Sequence, residues 1–242
     1  MTAITYTRYE LLRTLRNTRF LIFSLVFPMI MFFLIAGPTR QTEIDGIKAL
    51  PYFMGGMVSW GAMAAVLASG ARIAIERQAG WNRQLRITPL SVRTYFGTKV
   101  LSGYMMALLS IVVIFGAGAA YGVRLDALKW LLMAGYILVG LVPFAVMGIL
   151  LGHLLTPESM GPAMGGLTSL FAVLGGSFGT IATGGVLLQV VRCLPSYWLV
   201  QAGPDAIGGT HWPTQAWVVL VVWTVVLARL ARFVYQRDTK RI

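Results

Sequence analysis

Sixteen consecutive residues hold the densest polar chemistry in this chain: Glu76-Arg77-Gln78-Ala79-Gly80-Trp81-Asn82-Arg83-Gln84-Leu85-Arg86-Ile87-Thr88-Pro89-Leu90-Ser91. Long apolar runs flank them on both sides. Guanidinium groups pair with carboxylates and phosphates, and an apolar Trp and Leu set among charges make a docking surface. The chemistry these residues offer is recognition of water, lipid headgroups or another protein. A merely solvated loop is the plain alternative.

Catalytic constellations are missing from the sequence. No Gly-x4-Gly-Lys-[Ser/Thr] phosphate loop occurs, so ATP is not bound by that route. Neither Gly-x-Ser-x-Gly nor His-Glu-x-x-His is present. Of the two histidines, His153 falls at a helix end and His211 in a loop, on opposite sides of the membrane in the topology below. Cys193 is the one cysteine; it can form neither a disulfide framework nor a metal cluster and reads as an inert thiol.

The elements that must carry the polar island are membrane spans. The 242 residues are 57% hydrophobic and 12% charged, with mean hydropathy +0.74, against about 25% charged in a soluble domain. This composition predicts one polytopic all-α membrane domain over residues 1–242. The formal charge of +12 does not indicate nucleic acid, because the basic residues cluster at the ends of apolar runs. Six segments approach the length needed to span: 20–37, 51–71, 99–121, 130–155, 162–182 and 214–232. The first, Phe20–Ala36 in its apolar part, is too long for a signal peptide and reads as a retained span.

Lysine and arginine placement orients the spans. With both termini inside, the inner segments hold 15 basic residues, Lys99 among them, and the outer segments hold 5. Residues 4–19 precede the first span. Ile4, Leu11, Leu12 and Leu15 share one helical face and Arg13, Arg16 and Arg19 another, which predicts an amphipathic helix in the inner interface; a solvated basic terminus is the alternative. The outer segment 184–213 is too short and too interrupted by Gly and Pro to span, and reads as a re-entrant element before the sixth span.

Within the spans ionisable groups are scarce, which disfavours an ion-coupled carrier or channel. Phe53, Met57, Trp60 and Met63 in span two, with Leu170, Phe171 and Phe178 in span five, are candidates for a lipophilic substrate path or simply packing residues. Gly148-x3-Gly152, Gly161-x3-Gly165 and Gly175-x3-Gly179 permit close helix approach, within one subunit or across a dimer seam.

In loop 72–98 itself, Arg72 to Arg77 can extend span two into the cytoplasm. Gly80 then bends the chain, Trp81 to Arg86 can form a short helix, and Thr88-Pro89 stops it. The string Glu76-Arg77…Gly80…Leu85-Arg86…Thr88-Pro89-Leu90-Ser91…Tyr95…Lys99, with the topology around it, resembles the membrane subunits of ABC-2 (type V) ABC exporters. The Trp81-to-Arg86 version is similar to drug-export permeases of the daunorubicin-resistance kind, although many of those have Thr or Ser at the place of Trp81.

The resemblance covers nearly the whole chain. It implies a coupling role for Glu76, Arg77, Gly80, Trp81, Leu85, Arg86, Thr88 and Pro89. It also implies two separate ABC ATPase subunits that bind ATP and magnesium, with no cofactor on this chain. A second permease copy completes the assembly, a homodimer ahead of a heterodimer, in the bacterial plasma membrane. Spans two and five would line the path. A non-transporting anchor or sensor is the alternative from another class.

Overall fold

The computed structural model describes residues 3–16, 22–39, 42–44, 46–80, 92–179 and 184–240. They form α1 (Ala3–Leu15), a π-helical turn (Ile22–Val26) running into α2 (Phe27–Ala36), and a two-strand hairpin, β1 (Glu43–Ile44) and β2 (Ile47–Lys48). Then follow α3 (Ala49–Gln78), α4 (Val92–Tyr121), α5 (Ala127–Gly140), α6 (Val142–Leu154), α7 (Pro157–Gly175), α8 (Gly185–Arg192), α9 (Pro195–Gly208) and α10 (Thr214–Lys240).

Four helical stretches are long and apolar enough to cross a membrane: Ala49–Gln78, Thr94–Tyr121, Ala127–Leu154 and Thr214–Arg237. The third joins α5 and α6 through Leu141, whose N–H bonds to the Ile137 carbonyl at 3.0 Å. The chain is thus an all-α membrane protein with one small hairpin added. Gly46, at φ +76°, makes the tight turn of that hairpin, where Glu43 pairs with Lys48 in register. Asp45-Gly46 is a hairpin signal that the helical reading of the sequence passed over.

The first and fifth expected spans take more complicated forms. Segment 20–37 is divided where Pro28 stands near the start of α2. Proline has no N–H to give the carbonyl four residues back; that carbonyl, of Ser24, instead accepts from the Ser110 hydroxyl of α4 at 3.2 Å. Segment 162–182 is α7, which starts earlier, at Pro157. A Thr156/Ser159 capping box begins it, and Gly176 ends it with φ +86° in the left-handed region, where glycine is unstrained.

Residues 184–213 hold two short helices, α8 and α9. The Trp198 indole donates to the Arg192 carbonyl at 2.8 Å and the Trp223 indole to the Cys193 carbonyl at 2.9 Å. These bonds satisfy backbone oxygens left open at the end of α8. Helix α9 is largely buried, with Trp198, Leu199 and Ala202 in the core, and it packs on α3, α5 and α7.

Helix α3 is the axis of the molecule. Every residue from Ala49 to Met63 is buried, and its glycines let neighbours approach on several sides. A Cβ on Gly55 would lie 2.9 Å from Gly203 Cα of α9. A Cβ on Gly70 would collide with the Gly148 backbone of α6, and one on Gly152 with the Gly70 carbonyl. Gly148-x3-Gly152 therefore packs within the subunit, whereas Gly161 and Gly165 on α7 have nothing within 4 Å. Overpacking a close contact costs about 1–3 kcal/mol. Gly70→Leu should accordingly lower the melting temperature of the detergent-solubilised monomer by several degrees, whereas Gly161→Leu should leave it unchanged.

Candidate functional site

The polar island meets the helical bundle at the last turns of α3. Arg72 and Glu76 lie four residues apart and share a helix face, and Tyr95 and Lys99 do the same on α4. Glu10 of α1 completes the group. The Lys99 ammonium has no exposed surface and lies 2.6 Å from Glu76 Oε1 and 2.8 Å from Glu10 Oε1. Arg72 Nη1 reaches Glu10 Oε1 at 3.1 Å, and the Tyr95 hydroxyl donates to Glu76 Oε2 at 2.7 Å. Two carboxylates and two cations alternate, so the buried cluster is neutral.

The sequence reading counted Lys99 as a loop cation and α1 as a helix lying on the interface by its leucines. The structure corrects the first and adds to the second a polar face packed on the bundle. Lys99 is the second turn of α4, and burial is possible because two acids close on it. The buried stripe of α1 is Tyr6, Glu10 and Thr14, one residue per turn, and it faces α4. Thr7 and Thr98 hydroxyls meet at 3.1 Å along the same seam. Leu12, expected on the apolar interfacial face, is 47% exposed beside Tyr9, on the side of α1 away from this seam.

Burial alone would push the Glu10 carboxyl up. The Lys99 ammonium and the Arg72 guanidinium outweigh it and hold the group below its ordinary 4.5. Burial, then the Glu76 and Glu10 charges, push the Tyr6 hydroxyl above its ordinary 10.0, so it stays neutral.

Arg77 turns the other way. Its Nη1 donates to the His153 carbonyl and its Nη2 to the Leu155 carbonyl at 3.0 Å. A cation on the last carbonyls of α6 satisfies open acceptors and complements the helix dipole. Gly80 follows the end of α3 with φ +72° and its N–H on the Arg77 carbonyl at 3.1 Å; the bend expected at this glycine is present. Trp81, Leu85, Arg86, Thr88 and Pro89 lie outside the described residues.

Among the path candidates, Phe53, Met57, Trp60 and Met63 are buried. Trp60 meets Phe178 edge-on with ring centroids 5.1 Å apart, and Phe171 meets Phe144 at 5.5 Å. Leu170 points away from this group and is 53% exposed. Within one subunit the aromatic residues pack against one another, and α3 and α7 are neighbours as the pairing of their side chains requires.

Sequence reasoning missed Glu10 and the burial of Tyr95 and Lys99. The signal was available: paired i, i+4 polar residues, Arg72/Glu76 and Tyr95/Lys99, at the ends of two adjacent spans.

The apolar helices and the charges confined to their ends define a multi-pass membrane protein. A sequence model described as ABC-2 family transporter protein matches residues 42–233, and the chain belongs to that family. It is similar to the "Putative transport permease YvfS" of Bacillus subtilis (strain 168), with 24% identity over 232 residues, 95% of each chain. The protein is therefore a membrane subunit of a transporter.

Removing one partner of a buried ion pair costs about 3–5 kcal/mol. Lys99→Met, which leaves Glu10 and Glu76 without their shared cation, should destabilise the solubilised protein by that order in thermal or denaturant melts. Because the folded pKa of Glu10 is lowered, its contribution is present above the ordinary carboxylate value and lost as pH falls through the lowered one. Melting temperature should therefore fall at acid pH, and less steeply in Glu10→Gln.

Proposed function

We propose that this chain is the permease of an ATP-driven exporter of hydrophobic or amphipathic molecules, such as drugs, antibiotics or lipids. Two copies pair, and two separate ABC ATPase subunits, which bind ATP and magnesium, dock on the loops at 72–98. The observation that carries this reading is the anchoring of the loop's root. Glu76 ties the last turn of α3 to α4 and, through Lys99, to α1; Arg77 ties it to the end of α6. A push delivered to the loop would reach four helices at once.

In this reading Glu76 and Arg77 transmit motion, Gly80 and Pro89 shape the knob, and Trp81, Leu85, Arg86 and Thr88 meet the ATPase. Six spans place both termini in the cytoplasm of a bacterium, with the knob on the inner face of the plasma membrane. This follows from the 15 to 5 basic-residue asymmetry, with α2 and α7 as the first and fifth spans. Helices α8 and α9 re-enter the outer leaflet. The buried packing of α9 on α3, α5 and α7 supports this, since backbone at such depth must be covered by protein. Phe53, Met57, Trp60 and Met63 on α3, with Leu170, Phe171 and Phe178 at α7, lie toward the path between subunits. Their apolar character supports a lipophilic substrate.

The test is reconstitution with the ATPase encoded beside it. Leu85→Asp with Arg86→Glu should weaken assembly at least about tenfold, the effect of losing an interface hot spot, and uncouple ATP hydrolysis from efflux of a lipophilic dye in vesicles. Unchanged assembly and ATP-dependent efflux would refute the coupling assignment. Dye movement without ATP would refute the ATP-driven mechanism.

A further inference from the structure

Two adjoining cavities lie where α1 crosses the ends of α3 and α4, and neither is used by the mechanism above. The outer one, about 550 Å³, is lined by Arg13, Arg16 and Arg72 with Tyr9, Leu12 and Ile75. The inner one, about 120 Å³, shares Arg72 and Ile75, is bordered by Glu10 and Lys99 of the ion-pair cluster, and runs up between α3 and α4 past Ala65, Ser102 and Gly103. We infer that the pair binds one anionic phospholipid, its phosphate on the three arginines, its glycerol-ester region toward Ser102 in the inner cavity, and its tails along the exposed Tyr9, Leu12 and Ile75.

Several observations converge on this ligand. Arg13 and Arg16 form no ion pair among the described residues, and both are exposed. The hydrogen bonds of Arg72 to Glu10 use Nη1, which leaves the rest of its five-donor fork to face the cleft. Three guanidinium groups converging on one cleft select a phosphate. Apolar side chains flank them: Tyr9 is 61%, Leu12 47% and Ile75 49% exposed. That pairing of charge with greasy rim suits a molecule with a headgroup and tails, and suits a free anion poorly.

The inner groove holds a further mark. Ser102 is 2% exposed, lines the cavity, and its hydroxyl has no hydrogen-bond partner among the described residues. A buried hydroxyl without a partner is costly. A lipid ester carbonyl lying above the phosphate would accept its proton. Arg72 then belongs both to the lipid site and to the cluster around Lys99, so headgroup occupancy bears directly on how α1 is held.

The full chain purified in detergent tests this by native mass spectrometry against mixed micelles of dioleoylphosphatidylglycerol or dioleoylphosphatidylcholine. The glycerol lipid should be retained at least about tenfold better. At roughly fivefold per arginine near an anionic headgroup, Arg13→Gln with Arg16→Gln should weaken its binding about thirtyfold. Arg229→Gln with Arg232→Gln, two exposed arginines on α10, should leave it unchanged. Equal retention of the two lipids, an equal loss in the α10 variant, or parent-like retention in the α1 variant would overturn the inference. So would displacement of the lipid by millimolar inorganic phosphate, which would mark a free-anion site. Loss of ATPase binding in the α1 variant with lipid retention intact would mark the patch as a protein interface and overturn it too.

Discussion

An ammonium group with no exposed surface has no water to stabilise it, and Lys99 Nζ is in that position. Desolvating such an ion costs several kcal/mol, and the expense is recovered only when good acceptors surround it. Here the acceptors come from two other helices, Glu76 of α3 and Glu10 of α1, at 2.6 and 2.8 Å. Neither acid alone would suffice, because one carboxylate neutralises Lys99 and leaves Arg72 uncompensated. The position of α1 therefore follows from charge balance inside the bundle. Its attraction to headgroups is secondary, and the arginines that would provide it lie on the face turned away from α4.

The same turn of α3 is held on its other side by packing of a different kind. Gly70, two residues before Arg72, sits against Gly148 and Gly152 so closely that no Cβ fits at any of the three. Close backbone approach gains dispersion contacts that lipid cannot match. It also brings the end of α6 near enough for Arg77 to cap it. Glycine contact and ionic contact are thus consecutive on one helix, and each requires the other. Without Gly70 the α6 carbonyls would lie beyond Arg77, and without Arg77 they would end the helix unsatisfied.

Much of this architecture could be read from residues, and what could not had a specific physical cause. Long apolar periodic runs made α3, α4, the α5–α6 pair and α10 legible, and Gly80 and the Gly/Pro breaks in 184–213 were read correctly as interruptions. Pro28 dividing segment 20–37 was not foreseen, since its consequence depends on Ser110, more than eighty residues away, taking up the Ser24 carbonyl. The burial of Lys99 was not legible from charge placement, because a lysine at the foot of a span is ordinarily solvated. Only its acidic partners, each on a different helix, make the interior tolerable. The seam of α1 on α4, made by Tyr6, Glu10 and Thr14, was hidden for the opposite reason: in a membrane protein apolar faces can meet lipid, so hydrophobicity does not tell buried from outward faces.

These constraints bear on where motion can enter. Among the described residues the buried charged groups, Glu10, Glu76 and Lys99, gather where α1 crosses the end of α3 and the start of α4, and with Arg72 they neutralise one another. In the proposed coupling, force arrives at this end of α3 and α4, and the described residues on either side of 81–91 are not equivalent. On the α3 side, Gly80 at φ +72° is a residue that can change its backbone angles at little steric cost, so in that reading small displacements would be absorbed there. Larger ones would pull on Glu76, which is tied to α4 and through Lys99 to α1, and on Arg77, which is tied to the end of α6. Transmission needs a rigid connection between elements, and the alternating ion-pair chain ties α1, α3 and α4 together at this point. Lys99 holds both carboxylates at once, and a buried ammonium left with neither would be strongly destabilising.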